Sequence, residues 1–258
     1  MFMGDRIENM ALLSANAIAN IPLAHISGGE ITEGAIDDQI RHASTKMSHI
    51  HFVANLEYER RLKKLGEEDW RICNSGEPGL DSFNRVNLLN ITELSKVLNI
   101  NLKKPTALVT FHSVTMELNN LDYYLKELEF ALMAVDLQFL ITYPSPDPGS
   151  QKIIKFFQKF IKSHKNSIFL KSLGQLKYLS SLFFCNMMIG NSSSGVVEAA
   201  IPNIPVVNIG NRQKGRIKSS NVIDVSYDSE SIIDGIHKAQ KYDRKKLCQS
   251  LYGDGNSS

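Results

Sequence analysis

The chain has 258 residues, 43% of them apolar, with 29 basic and 27 acidic side chains and a formal net charge of +2. This composition excludes a disordered chain and leaves room for one large domain or two smaller ones. Basic and acidic residues are interspersed, as in KKLGEEDWR (63–71), so the sequence carries no electrostatic footprint for nucleic acid.

In chain order, Gly4-Asp5-Arg6 reads as a strand-end turn leading into a helix near 8–19. Asp5 is then either a helix N-cap or an acid aimed into a cleft at the strand's carboxyl end. Short apolar runs of strand length follow at 22–26, 49–54, 107–112, 138–143, 167–172, 183–190 and 205–210. Helix-period segments separate them near 35–47, 56–65, 117–134, 150–163, 174–181 and 195–200, with a last helix near 229–240. Such alternation predicts an α/β protein of βαβ units with parallel sheets. The basic, amphipathic segment IIKFFQKFIK (153–162) is expected to be a domain helix facing a sheet rather than a membrane-surface helix. The stretch 76–104 breaks the rhythm and predicts a linker, giving domains over 1–95 and 96–258.

No stretch reaches the roughly 18 apolar residues of a membrane span, and no secretion signal is visible. Cys73, Cys185 and Cys248 are odd in number and far apart, which fits the reducing cytosol and argues against a disulfide framework or a zinc site. Met1 leaves no room for a strand before Gly4, so the first sheet is expected to hold about three strands or fewer. LYGDGNSS stops on residues that usually introduce a helix, and both ends read as cut.

Two stretches carry the chemistry. GNSSSGVVEAA (190–200) follows an apolar strand and opens a helix, where unpaired N–H groups and the helix dipole favour phosphate. Ser192 and Ser193 would add hydroxyl donors, Gly195 would let backbone approach closely, and Glu198 would face ribose hydroxyls. The alternative is a Ser N-cap on an ordinary helix. GGEITEGAIDDQIRHASTKM (28–47) predicts a helix with Ile36, Ile40, Ala43 and Met47 toward the core and Asp37, Asp38 and Arg41 on the polar side. Asp37 and Arg41 could form an i,i+4 pair of about 0.3–0.5 kcal/mol, which leaves Glu30 and Glu33 beside the Gly-Gly turn unexplained. Clustered carboxylates without surplus cations raise one another's pKa, as acid/base work near neutral pH requires. His112 ends a strand and is structural or catalytic depending on its neighbours. His25, His42, His49 and His51 are read as packing or supporting residues, since no pair has metal-ligand spacing.

GDR (4–6), AHISGGEITEGAIDDQIRHASTKMSHIHFV (24–53), GEPGLD (76–81), His112, GNSSSGVVEAA and PVVNIGNRQKGR (205–216) together resemble the hydrolysing UDP-N-acetylglucosamine 2-epimerases. These include bacterial enzymes of sialic and legionaminic acid synthesis and the epimerase half of the bifunctional animal enzyme. The resemblance implies the B-type glycosyltransferase fold, two Rossmann-like domains that take the nucleotide sugar between them, with the first domain incomplete here. It implies that Asp5, Arg6, Asp37, Asp38 and His112 match active-site positions and that Ser192, Ser193, Glu198 and Arg212 match nucleotide contacts, with Arg6 binding substrate. The family's first strand, its Arg-containing phosphate loop and its final crossover helix are not found. Ser27 stands where some relatives carry an acid, and Glu30 is the nearest acid that could substitute.

The implied partner is a UDP-sugar, with no cofactor, metal, nucleic acid or membrane, in a cytoplasmic homo-oligomer, a dimer or tetramer. The implied reaction converts UDP-GlcNAc, or a UDP-2,4-diacetamido-2,4,6-trideoxy sugar, to the free manno sugar and UDP through a glycal. A non-hydrolysing epimerase and a UDP-sugar-binding remnant without catalysis are the alternatives.

Overall fold

Parallel strand pairing accounts for every sheet contact among the described residues of the computed structural model, which are 1–31, 37–246 and 248–257, with Asp37 described for its backbone alone. The chain divides into two compact units. The first comprises Met1–Arg85, Lys214–Ile217 and Ser250–Ser258, and the second Val86–Gln213 and Lys218–Gln249.

In the first unit, β1 (Phe2–Met3), β2 (Ala24–Ile26), β3 (Ile50–Val53) and β4 (Ile72–Asn74) lie side by side in chain order. The expectation of three strands or fewer is corrected: β1 needs only two residues because it pairs with His25 and Ile26, and β4 is a short edge strand that hydropathy alone does not reveal. The helices are α1 (Asn9–Ile18), α2 (Asp37–Met47), α3 (Leu56–Lys64) and the single turn α4 (Ser82–Arg85). Phe2, Leu13 and Leu23 form a small buried cluster with Met10 and Met47 against it. α3 starts where Asn55 accepts the N–H groups of Glu57 and Tyr58, and its Glu57 and Glu59 precede Arg61, Lys63 and Lys64 along the helix dipole. That helix buries Tyr58 and Leu62.

The second unit begins with α5 (Ile91–Leu98), closed at its start by a reciprocal Asn90–Glu93 capping box. Residues 86–95, assigned to the first domain in the sequence reading, lie here, because Leu94 and Leu98 of α5 are buried and Leu89 N–H donates to Ser180 Oγ. Then come β5 (Thr106–Thr110), α6 (Leu121–Met133), β6 (Gln138–Thr142), α7 (Ser150–Ser163), β7 (Ile168–Leu170), α8 (Gly174–Phe184), β8 (Met187–Gly190), α9 (Ser194–Val197), β9 (Val206–Ile209), β10 (Val222–Val225) and α10 (Ser229–Gln240). The sheet order is β10-β9-β8-β5-β6-β7. β5, β6, β8 and β9 are buried along their whole length, as strands covered on both faces must be. α7 turns Ile153, Phe157 and Phe160 into the core, so the basic amphipathic segment is a domain helix. The run 183–190 gives a strand only from Met187, because Phe183 and Phe184 end α8. β10, absent from the sequence reading, is a partly exposed edge strand.

The sheet doubles back between β5 and β8, its topological switch point. Gly190 pairs with Thr110 there at φ +139°, and a Cβ on it would lie 1.9 Å from the Thr110 carbonyl oxygen. Only glycine permits this approach. Gly190→Ala is therefore expected to destabilise the protein by about 2 kcal/mol or more, read as a lower urea midpoint at unchanged m-value. An unshifted midpoint would contradict the strand contact.

Candidate functional site

Ligands of open α/β sheets bind beyond the carboxyl ends of the strands at the switch point. In the second unit, His112 follows the end of β5 by two residues and Asn191 follows β8 directly. The two residues lock the loops together: His112 N–H donates to Asn191 Oδ1 at 2.7 Å, and Asn191 Nδ2 donates to the His112 carbonyl at 2.8 Å. Beside them opens a cleft of about 470 Å³ lined by Thr110, His112, Thr142, Lys171, Tyr178 and Ser192, among others.

The Ser145 backbone N–H donates to His112 Nδ1 at 2.9 Å, which makes Nδ1 an acceptor and puts the proton on Nε2. Ser145 Oγ donates to Asp147 at 2.5 Å. Burial, reinforced by the Arg212 charge and opposed by Asp147, lowers the His112 pKa to about 3. His112 is thus a neutral imidazole with one N–H to offer.

Ser192 and Ser193 are half-buried at the head of α9. Ser193 makes no side-chain cap, so the ordinary N-cap reading is not what the structure holds; Ser192 Oγ instead accepts the Ser194 N–H at 3.4 Å. α9 is one turn long, shorter than the predicted 195–200 helix. At Gly195 a Cβ would lie 2.8 Å from Val206 Cγ1, so the glycine permits the close fit of α9 on β9. Tyr178, absent from the sequence reading, donates to Ser194 Oγ, and its hydroxyl pKa is raised by burial and by the neighbouring Glu198. Arg212 Nη1 and Gln213 Nε2 both donate to the Asn191 carbonyl, at 3.2 and 2.9 Å.

The first unit gathers the remaining candidates around charge. Arg41 is 2% exposed, ion-paired with Asp5 and 3.9 Å from Glu30. Glu30 is 4% exposed and meets Arg216 at 2.7 Å. Burial, aided by Glu77, holds the Glu30 carboxyl above its ordinary pKa, against the Arg216 and Arg61 charges. Burial and the Arg216 charge lower Arg41 to about 9, which leaves it protonated at neutral pH. The acids are therefore not short of cations, as the sequence reading had it: Arg41, Arg61 and Arg216 come to Glu30 from three separate segments. Arg41 is also not on the polar side of its helix, since Asp5 and Glu30 draw it inward.

Ser27 sits at φ +62° and donates to the Glu77 carboxylate of GEPGLD at 2.9 Å. Burial raises the Glu77 pKa, with Ser27 opposing. Asp38 pairs with His42 at 3.4 Å. Arg6 is exposed and forks onto Glu8. Glu33, Ile36 and the Asp37 side chain lie outside the described residues. His25 is buried against Phe2 and bonds the Gly4 carbonyl through Nε2, which makes it a support for the Gly4-Asp5 turn. Arg61, Arg216, Glu77 and Tyr178 were the residues missed; Arg216 and Glu77 lay within quoted motifs but had no visible partner until the chain folded. Among the described residues no group of three His, Cys, Asp or Glu side chains could hold a metal ion, and no helix is long and apolar enough to cross a membrane.

A switch-point cleft on a doubly wound parallel sheet defines a Rossmann-type α/β protein. The chain belongs to the UDP-N-acetylglucosamine 2-epimerase family, whose model matches residues 1–258. It is 39% identical over 230 residues to the GDP/UDP-N,N'-diacetylbacillosamine 2-epimerase (hydrolyzing) of Campylobacter jejuni, covering 87% of this chain and 59% of that protein. It is 34% identical over 258 residues to the UDP-N,N'-diacetylbacillosamine 2-epimerase (hydrolyzing) of Legionella pneumophila, covering 100% of this chain and 68% of that one. Among solved structures it is similar to the Neisseria meningitidis UDP-GlcNAc 2-epimerase bound to UDP-GlcNAc, with TM-score 0.82 and 16% identity over 99% of this chain and 72% of that one. The two parallel-sheet units thus have the B-type glycosyltransferase fold.

Two outcomes are expected. Arg41→Ala, which strands Asp5 and removes one of the cations near Glu30, should lower unfolding free energy by about 3–5 kcal/mol in urea titrations, whereas Arg6→Ala should cost about 1 kcal/mol or less. Equal effects would refute the buried ion cluster. His112 should keep its Nε2–H tautomer from pH 8 to 5 in side-chain nitrogen NMR. Its folded pKa of about 3 lies below the ordinary ~6.5, so the unfolded state binds the proton first and stability falls as pH drops through that window. A His112 titration midpoint above pH 5.5 would contradict the burial argument.

Proposed function

We propose that this chain acts as a hydrolysing 2-epimerase on a UDP-2-acetamido sugar, and that its sugar is a 2,4-diacetamido-2,4,6-trideoxyglucose. The carrying observation is the cleft at the β5/β8 switch point, lined by neutral His112 and Ser192, with Arg212 and His112 both bonded to Asn191 beside it. This set of hydroxyl, imidazole and guanidinium donors suits a diphosphate, and the names of the two hydrolysing relatives support the choice of sugar.

The C2 proton of such a sugar has no carbonyl beside it to acidify it. Breaking the bond from C1 to the UDP oxygen makes C1 cationic and C2 acidic, so a carboxylate can remove the proton as a C1–C2 double bond forms. Water then adds its hydroxyl to C1, and a proton reaches C2 from the opposite face, giving the manno sugar. Donors at the diphosphate stabilise the leaving UDP, the role of Arg212, Ser192, Ser193 and the His112 Nε2–H.

Two faces of C2 require two proton carriers. Asp37 and Asp38 are the assigned carriers on the motif they share with the family, and Asp5 and Glu30, engaged by arginines, are suited to shaping the site. Arg6 stays a substrate-binding candidate on the motif it shares with the family. A cytosolic homo-oligomer, dimer or tetramer, goes with this reading.

Proton NMR in D2O with the diacetamido substrate, and separately with UDP-GlcNAc, tests it. Free UDP and a manno product deuterated at C2 are expected. Epimerised UDP-sugar without free UDP would indicate the non-hydrolysing reaction, and no product from either would sink the assignment. Asp37→Asn should reduce turnover at least about a thousandfold, as for other acid/base groups, with UDP affinity nearly unchanged by calorimetry.

A further inference from the structure

The loop that follows β9 carries Arg212, and it is held from both sides. Gly210 has φ +71°, and a Cβ on it would lie 2.0 Å from Tyr227 Cζ, so the chain runs directly against the tyrosine ring. The Asn211 N–H donates to the Tyr227 hydroxyl at 3.3 Å. Tyr227 stacks on Tyr124 of α6, with centroids 3.5 Å apart and planes 9° apart. Both hydroxyls donate to the same carboxylate oxygen, Glu117 Oε2, at 2.9 and 3.0 Å. The other oxygen, Oε1, accepts the Asn211 side-chain amide at 3.3 Å.

Glu117 belongs to the short 3-10 helix Thr115–Asn120 in the connection that begins at His112. Its carboxylate therefore ties the loop after β5 to the loop after β9. On the far side, Arg212 and Gln213 are fastened to the Asn191 carbonyl beyond β8. All the donors that meet Glu117 in this arrangement are neutral, so they use its acceptor capacity without a counter-charge. The sequence motifs touch Arg212 and His112 but leave Glu117, Tyr124 and Tyr227 without a role.

We propose that Glu117, through Tyr227 and Asn211, is a positioning residue that sets Arg212 against Asn191 at the switch point. It touches no reacting atom and acts through the loop. The ligand half of this inference rests on the reading that Arg212 meets the diphosphate.

Glu117→Gln keeps the shape but turns one acceptor into an NH2 donor, which must face either the two hydroxyls or the Asn211 amide, all donors themselves. Amide hydrogen exchange of the ligand-free protein reads the loop directly. Exchange across residues 210–213 should speed up about tenfold in Glu117→Gln, with β5 and β8 unchanged, the pattern of local opening. Unaltered exchange there would overturn the inference. Calorimetry with UDP then reads the function. Glu117→Gln should raise Kd about tenfold in the native background and change it little in an Arg212→Ala background, the non-additivity of residues in one hydrogen-bond network. Equal losses in both backgrounds would show that Glu117 does not act through Arg212. Tyr227→Phe, which keeps the ring stack and removes the shared hydroxyl, repeats both measurements should Glu117→Gln fail to fold. If the unaltered chain binds no UDP, the proposed function fails, and the exchange result alone decides whether Glu117 holds the loop.

Discussion

The crossed hydrogen bonds between His112 and Asn191 are the constraint on which the second unit's site depends. They exist because β5 and β8 are adjacent although their carboxyl ends, the paired Thr110 and Gly190, lie 80 positions apart in the chain. From this pair the site spreads outward. The Asn191 carbonyl receives the Arg212 and Gln213 side chains, and the His112 ring is turned by the Ser145 amide so that Nε2 carries its proton. A neutral donor next to a guanidinium costs less to bury than a second cation would, and burial keeps it neutral.

The first unit solves a different electrostatic problem. Its candidate residues include buried ions, and a buried ion is tolerable only with an opposite charge and hydrogen bonds to match. Arg41 and Arg216 meet that need for Asp5 and Glu30, and Tyr58 and Tyr252 join hydroxyls at 2.8 Å beside them. The result is a rigid, charge-balanced support rather than a group of free bases. Asp38, half-exposed and 3.4 Å from His42, makes a contact distinct from these ion pairs.

Much of the α/β architecture was legible because buried parallel strands are continuous apolar runs, such as ALVTFH and QFLITY, and helices such as α7 show their period openly. Short edge strands were not, since the two residues of β1 and the mixed VIDV of β10 have no hydropathic signature apart from their partners. The same limit applied to the site. Residues adjacent in sequence, such as Ser192 and Ser193, could be read as a group, whereas Glu30 with Arg216 joins segments 186 positions apart and has no local trace. A glycine such as Gly195 after a strand suits backbone approach to a ligand in the sequence alone, and its close packing on Val206 becomes visible only in the folded chain.

The discontinuity of the first unit has a practical corollary for dissecting this chain. Its third segment, Ser250–Ser258, delivers Tyr252, whose carbonyl accepts the Glu77 N–H, and its second delivers Arg216. A fragment ending at Arg85 would keep all four strands of the sheet yet leave the Glu30 carboxylate without its nearest guanidinium and Tyr58 without its hydroxyl partner. The natural cut in the sequence is thus not a cut in the protein, and a separable first unit would have to be assembled from three pieces of chain rather than expressed from one.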